Sequence, residues 1–125
     1  MASERLPKPR YFRDLIAWQK AVELATEIYR VSAYFPKNET FGLTSQIRRA
    51  SVSIPSNIAE GQGKNSTGEF IQYLGHAKGS LYEVETQVEI ARNLSMISNE
   101  SRNDLQIRIE ELRKILSGLI ASLRR

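Results

Sequence analysis

Few side chains in this sequence are of the types that run chemistry, and their spacing limits what they can do. His76 is the single histidine, so the paired-histidine motifs of zinc hydrolases and of di-iron helical bundles are excluded. An imidazole acts as a general base only when a partner orients it, and nothing specifies one near His76, which reads as a surface or interface residue. Gly61-Gln62-Gly63-Lys64-Asn65 has the glycine character of a phosphate cradle. A P-loop, however, needs glycine five positions before Gly63, where Ile58 stands, and Ser or Thr after Lys64, where Asn65 stands. A helix-to-helix turn is the simpler reading. The serines occupy no nucleophile elbow and lack a His/Asp pattern. Glu83, Glu85 and Glu89 are clustered carboxylates better suited to pairing with Arg48, Arg49 or Lys78 than to acid–base work. With no cysteine, disulfides and thiolate metal sites are excluded too. The sequence therefore predicts a protein that is not an enzyme, with no metal and no cofactor.

Helices must position these groups, because helical periodicity runs along most of the chain and strand alternation is weak. The pattern predicts a basic flexible tail over residues 1–13 and one all-α domain over 14–125, an antiparallel up-down-up-down four-helix bundle. The first helix runs from about Asp14, as N-cap or first-turn anion, to Tyr34. It carries Leu15, Trp18, Val22, Ala25 and Tyr29 at helical spacing, with Leu24, Ile28 and Val31 widening the stripe, and Pro36 closes it. The second, about Leu43 to Glu60, aligns Leu43, Ile47, Ala50, Ile54 and Ile58. Pro55 inside it predicts a kink near Ser51 or a split into two short helices. After the glycine loop, Ser66-Thr67-Gly68-Glu69 is a capping box that opens a third helix. Its seam, Phe70, Leu74, Ala77, Leu81, Val84, Val88 and Ala91, repeats in steps of four and three. A fourth helix starts near Ser98 or Asn99 and carries Leu105, Ile109, Leu112, Leu116, Leu119 and Leu123.

The third helix has a second stripe: Ile71, Gly75, Gly79, Tyr82, Thr86 and Ile90. At about 100° per residue its centre lies roughly 150° from the first seam, so one bundle core cannot bury both. An interior glycine costs about 1 kcal/mol relative to alanine, and two on one face require a compensating gain. Close packing against a neighbouring chain supplies it, which makes this stripe the candidate oligomer interface. The alternative is that loops or the N-terminal segment cover the face. Ile107 on the fourth helix also points away from its seam.

The formal charge of +4 is concentrated at the termini. Arg5, Lys8, Arg10 and Arg13 against Glu4 give residues 1–13 a net +3, and Arg124 and Arg125 leave about −1 for the body. Those four tail cations are the candidate contacts for nucleic acid; otherwise they simply solubilise a frayed end. Met1 to Arg13 is polar, with Pro7 and Pro9, and lacks the apolar core of a signal peptide. No apolar run approaches the roughly 20 residues that span a bilayer. The expectation is a soluble cytoplasmic protein with no membrane role.

Several runs carry a further signal. They are Leu15-Ile16-Ala17-Trp18-Gln19-Lys20-Ala21, Gly42-Leu43-Thr44-Ser45-Gln46-Ile47-Arg48-Arg49-Ala50 and Ser53-Ile54-Pro55-Ser56-Asn57-Ile58-Ala59-Glu60-Gly61. Glu69-Phe70, Ala77-Lys78-Gly79-Ser80-Leu81 and Glu85-Thr86-Gln87 follow in order. Together, over roughly residues 11–97, they closely resemble the four-helix-bundle family named after the 23S rRNA intervening-sequence protein. The resemblance implies a bacterial cytoplasmic protein that assembles as a homopentameric ring. It also implies a distant similarity to accessory proteins of diversity-generating retroelements, which are basic, barrel-like oligomers that contact nucleic acid and a reverse transcriptase. Arg48, Arg49, Ser53, Asn57 and Glu60 lie in its most recognisable stretch and read as a structural polar motif. In that reading Asn57 and Glu60 satisfy backbone groups released by Pro55 or the next loop, while the arginines pair with acids on an adjacent helix. The expected function is a homo-oligomeric scaffold that binds RNA or DNA weakly through gathered tails. The alternative is a protein-interaction module with an unidentified protein partner and no nucleic-acid role.

Overall fold

A computed structural model describes residues 12–125 of the chain. Four helices make up its regular structure: α1 (Ile16–Ser32), α2 (Leu43–Gln62), α3 (Thr67–Asn93) and α4 (Asn99–Leu123). Short 3-10 turns at Phe12–Asp14 and Lys37–Glu39 precede α1 and α2, and no strand occurs among the described residues.

The helix ends follow local chemistry. α1 starts two residues later than Asp14, because Phe12–Asp14 closes a 3-10 turn in which the Leu15 N–H donates to the Phe12 carbonyl at 3.0 Å. Leu15 is then the extended N-cap residue, with no side-chain cap, and Asp14 does not cap the helix. At α3 the Ser66 Oγ accepts from the Glu69 N–H at 3.1 Å. Glu69 answers through its carboxylate, which accepts from the Ser66 hydroxyl at 3.1 Å. Ser98 caps α4 through the Ser101 N–H at 3.0 Å. α3 terminates where Met96 N–H donates to the Ala91 carbonyl at 2.8 Å, a Schellman-type closure that places Ser95 in the left-handed region at φ 59°.

α2 runs unbroken through Pro55, so the split into two helices is not adopted. The proline is itself buried between Ile54 and Ile58, both fully buried. Packing of that face offsets the lost backbone donor, whose removal costs about 3 kcal/mol in an unsupported helix. Gly61 and Gln62 belong to the last turn of α2 and not to the glycine loop. Gly61 is buried because α3 crosses it closely: a Cβ there would stand 2.5 Å from the Tyr73 Cβ.

Side-chain pairs fix how the helices run. Ser53 faces Ser80 and Gly61 faces Phe70 and Tyr73, so α3 ascends as α2 descends. Glu85 reaches Gln106 and Glu89 reaches Arg102, the same reversal between α3 and α4. Arg48 meets Tyr29 and Ser32 at the α1–α2 turn end, and Lys20 lies 3.6 Å from Glu111 across α1 and α4. The core these helices share is the expected one on α3, with Leu74, Ala77, Leu81, Val84, Val88 and Ala91 buried. On α4 the seam ends at Ile120, while Leu119 and Leu123 are only partly buried. On α1 the buried apolar residues are Ala17, Ala21, Leu24, Ala25 and Ile28, Ala25 as the stripe predicts. Trp18 and Val22 move to their edge, and Tyr29 is exposed.

Candidate interaction surface

The groups that could do chemistry are dispersed. His76 is exposed, with the edge of its ring against Tyr73 at a centroid distance of 5.8 Å. The Lys64 ammonium lies 5.1 Å above the Tyr73 ring, a cation–π contact and not a phosphate site. Glu89 accepts from Arg102 at 3.0 Å and pairs with Arg92 at 3.3 Å; Glu85 accepts from the Gln106 amide at 2.8 Å. Glu85 and Glu89 are thus bound to α4 and to their own helix, Glu83 forms no ion pair among the described residues, and none of the three pairs with Arg48, Arg49 or Lys78. Among the described residues no group of three or more His, Cys, Asp or Glu could hold a metal ion.

Three residues of the polar motif on α2, Arg48, Ser53 and Asn57, hydrogen-bond within the bundle, with partners other than those expected. Arg48 donates from Nε to the Ser32 Oγ at 2.7 Å and from Nη2 to the Tyr29 carbonyl at 3.2 Å. Its guanidinium also lies 4.5 Å over the Tyr29 ring. No acid is involved: Arg48 closes the end of α1, where the last carbonyls have lost their helical donors. Asn57 Nδ2 donates to the Ser53 carbonyl and hydroxyl at 2.9 and 3.0 Å, and the Ser53 hydroxyl meets that of Ser80 at 2.8 Å. The carbonyl that Pro55 leaves without its helical donor is that of Ser51, four residues earlier, so Asn57 does not compensate for the proline. Arg49 and Glu60 are exposed.

The second stripe of α3 faces outward on the side toward α4. Gly75 and Gly79 are exposed, and among the described residues a Cβ built on either meets nothing within 4 Å. Tyr82 and Ile90 remain 45% and 43% exposed, Thr86 bonds only back to the Tyr82 carbonyl at 2.9 Å, and Ile71 is half-buried against the core. Tyr82, Thr86 and Ile90 border a groove of about 660 Å³ whose other wall is Arg102 and Gln106 of α4. Ile107 lies beyond it, 69% exposed.

Two apolar surfaces escape the sequence pattern. Between α1 and α2, Val22, Ala25, Tyr29, Val52 and Pro55 line a groove of about 350 Å³. Val52 is the one signal available in the chain, because it falls off the stripe from Leu43 to Ile58. At the end of the bundle where α1 meets the α3–α4 turn, Val31, Tyr34, Met96 and Ile97 line another, of about 390 Å³.

Of the candidate nucleic-acid contacts, Arg5, Lys8 and Arg10 lie outside the described residues. Arg13 is exposed in the 3-10 turn, its guanidinium 5.4 Å from the Trp18 ring and its carbonyl accepting from Gln19 Nε2 at 2.8 Å. No helix among the described residues is long and apolar enough to cross a membrane.

The 23S rRNA-intervening sequence protein family matches the chain over residues 13–118. A protein of unknown function from the S23 ribosomal protein family of Bacteroides thetaiotaomicron has a similar crystal structure, with a TM-score of 0.79. It is 25% identical, over 85% of this chain and 96% of its own. No curated protein matches the chain.

Proposed function

This chain belongs to the 23S rRNA-intervening sequence protein family, and from that premise we propose that it is a non-catalytic scaffold whose copies associate through the outward face of α3. The observation that carries the reading is the pair Gly75 and Gly79, set in the middle of a long helix with no neighbour among the described residues to require them. Each costs about 1 kcal/mol against alanine, and a partner's backbone brought close to that face is what returns the loss. Tyr82 and Ile90 add apolar area of the kind that interface cores use. The assembly is a ring of five, the number the family resemblance implies, and it weakly holds RNA or DNA. Five tails of net +3 would bring about 15 positive charges to one particle, enough for avidity to lift a feeble single contact.

Native mass measurement tests the assembly. The wild-type chain should be a multiple of 14.2 kDa, and Gly79→Arg should be a monomer of unchanged helicity. A wild-type chain that stays monomeric at high concentration sinks the proposal. For nucleic acid, deleting residues 1–13 should reduce both affinity and its dependence on salt; an unchanged salt slope removes the tail from the account. The near-neutral body favours a second reading, in which the outer faces dock a protein and nucleic acid plays no part. A protein recovered stoichiometrically from the native host, free of nucleic acid, would support it.

A further inference from the structure

The two ends of the bundle differ in charge. α1 and α3 begin, and α2 and α4 finish, at the end where residues 1–11 join the fold through Phe12. Its loops and last helical turns carry Arg13, Lys64, Arg124 and Arg125, to which the sequence of the tail adds Arg5, Lys8 and Arg10. The acids of that end are Glu4, Asp14, Glu60 and Glu69, which leaves a net +3. Over the rest of the chain eleven cations stand against ten acids, so only +1 of the formal +4 lies there. The ion pairs among the described residues use Lys20, Arg30, Arg92, Arg102, Arg108 and Arg113. Arg13, Lys64, Arg124 and Arg125 enter none of them.

Two of these four cations rest on aromatic rings instead of carboxylates. The Arg13 guanidinium lies 5.4 Å from the centre of the Trp18 ring, which Phe12 flanks at a centroid distance of 5.1 Å. The Lys64 ammonium lies 5.1 Å from the centre of the Tyr73 ring, whose other neighbour is the His76 ring at 5.8 Å. Both rings are half-buried, while Arg13 and Lys64 are exposed and free to leave them. Resting on the nucleic-acid part of the proposed function, we infer that this end of the bundle takes single-stranded nucleic acid in preference to duplex. Unstacked bases lie on Trp18 and Tyr73, and the phosphates between them meet the unpaired cations.

The choice of strand follows from how little charge is present. Phosphate attraction scales with the number of cations and fades with salt, so a net +3 alone holds a duplex poorly. A single strand offers a second source of affinity, because every base has a π-face that stacks on an aromatic ring whatever the sequence. A base that takes the ring displaces the cation above it, and the cation then meets the phosphate beside that base. Lys64, which has no phosphate cradle of its own, gains a phosphate only in this way. A duplex keeps its bases stacked on one another and gives Trp18 and Tyr73 nothing to bind. The same reasoning predicts little preference among sequences, since no base edge is read.

Trp18 is the only tryptophan of the chain, so its emission reports whether a base reaches that ring. At low salt a single-stranded oligothymidylate should quench it, and a DNA duplex of equal length should bind more weakly and leave it unchanged. Lys64→Ala, Arg124→Ala and Arg125→Ala combined, with the tail intact, should lessen the slope of log affinity against log salt by about 2, at roughly 0.7 for each cation lost on a single strand. Tyr73→Leu keeps the Cβ that packs at Gly61; it should weaken oligothymidylate binding about tenfold and leave duplex binding as it was. Circular dichroism checks that both variants keep their helicity. A duplex that binds as tightly as the single strand, Trp18 emission that stays constant at saturation, an unchanged salt slope in the triple variant, or a Tyr73→Leu chain that binds like the parent overturns the inference, while binding through the tail stands. If neither probe binds at low salt, the nucleic-acid part of the proposed function fails and this inference fails with it.

Discussion

Replacing Gly61 by alanine should destabilise the fold, although alanine is the better helix former. The added Cβ would lie 2.5 Å from the Tyr73 Cβ and 3.1 Å from the Phe70 Cδ1. Carbon atoms pack at about 3.5–4.0 Å, so α2 and α3 must part by about 1 Å at this end. The Phe70 ring can turn aside, but the Tyr73 Cβ is tied to the α3 backbone and cannot. Overpacking of this kind costs about 1–3 kcal/mol. The gain in helix propensity is below about 1 kcal/mol, because Gly61 sits in the last turn. The net loss is about 1–2 kcal/mol, which for a domain of this size lowers Tm by about 4–8 °C. Thermal or urea unfolding followed by circular dichroism measures it. Gly75→Ala and Gly79→Ala serve as controls at a concentration where the chain is a monomer. With nothing among the described residues within 4 Å of either Cβ, each should gain about 1 kcal/mol. A Gly61→Ala chain as stable as the parent would refute the argument that close helix approach requires glycine there.

Other substitutions test other parts of the account. Ser95 occupies the left-handed region at φ 59°, so Ser95→Gly should raise stability by about 1 kcal/mol in denaturant unfolding. Gln87 is 94% buried and its Oε1 has no hydrogen-bond partner; Gln87→Met should stabilise by about 1 kcal/mol, and a loss would mean that the amide has a partner in solution. Arg113 donates a hydrogen bond to Glu110 and holds its carboxyl below the ordinary carboxylate range. The pair therefore contributes to stability above the unfolded-state pKa of glutamate and loses that contribution as pH falls through the lowered value. In Arg113→Ala the carboxyl titration of Glu110, followed by NMR, should move up toward the ordinary range.

The third and fourth helices are the most legible in the sequence, because their apolar residues recur in unbroken steps of three and four and their caps, Ser66 and Ser98, are local. α1 is less so. Trp18, Val22 and Tyr29 have the spacing of a core stripe, yet the buried apolar residues are Ala17, Ala21, Leu24, Ala25 and Ile28, a rotation that small alanines permit and aromatic bulk disguises. Pro55 carried a warning that packing of Ile54 and Ile58 overrode. The polar motif was visible as residues but not as bonds: that Arg48 would seek the Tyr29 carbonyl, 19 positions away, follows from where α1 ends, and no local pattern encodes that. The α3 stripe was legible because glycine on a smooth helical face is costly. The α1–α2 groove was not, since two of its walls passed for core and Val52 stood alone.

The alternation of helix direction also bears on how the chain could be rewired. α1 and α4 touch and run oppositely, so the first and last described turns emerge at the same end of the bundle. A short linker from Arg125 back to Phe12, with a cut in the segment between Ser32 and Leu43, would thread the same four rods in a new order. Each rod would keep its neighbours, so a circular permutant opened there should fold to the same packing, with its new termini at the far end from the old ones.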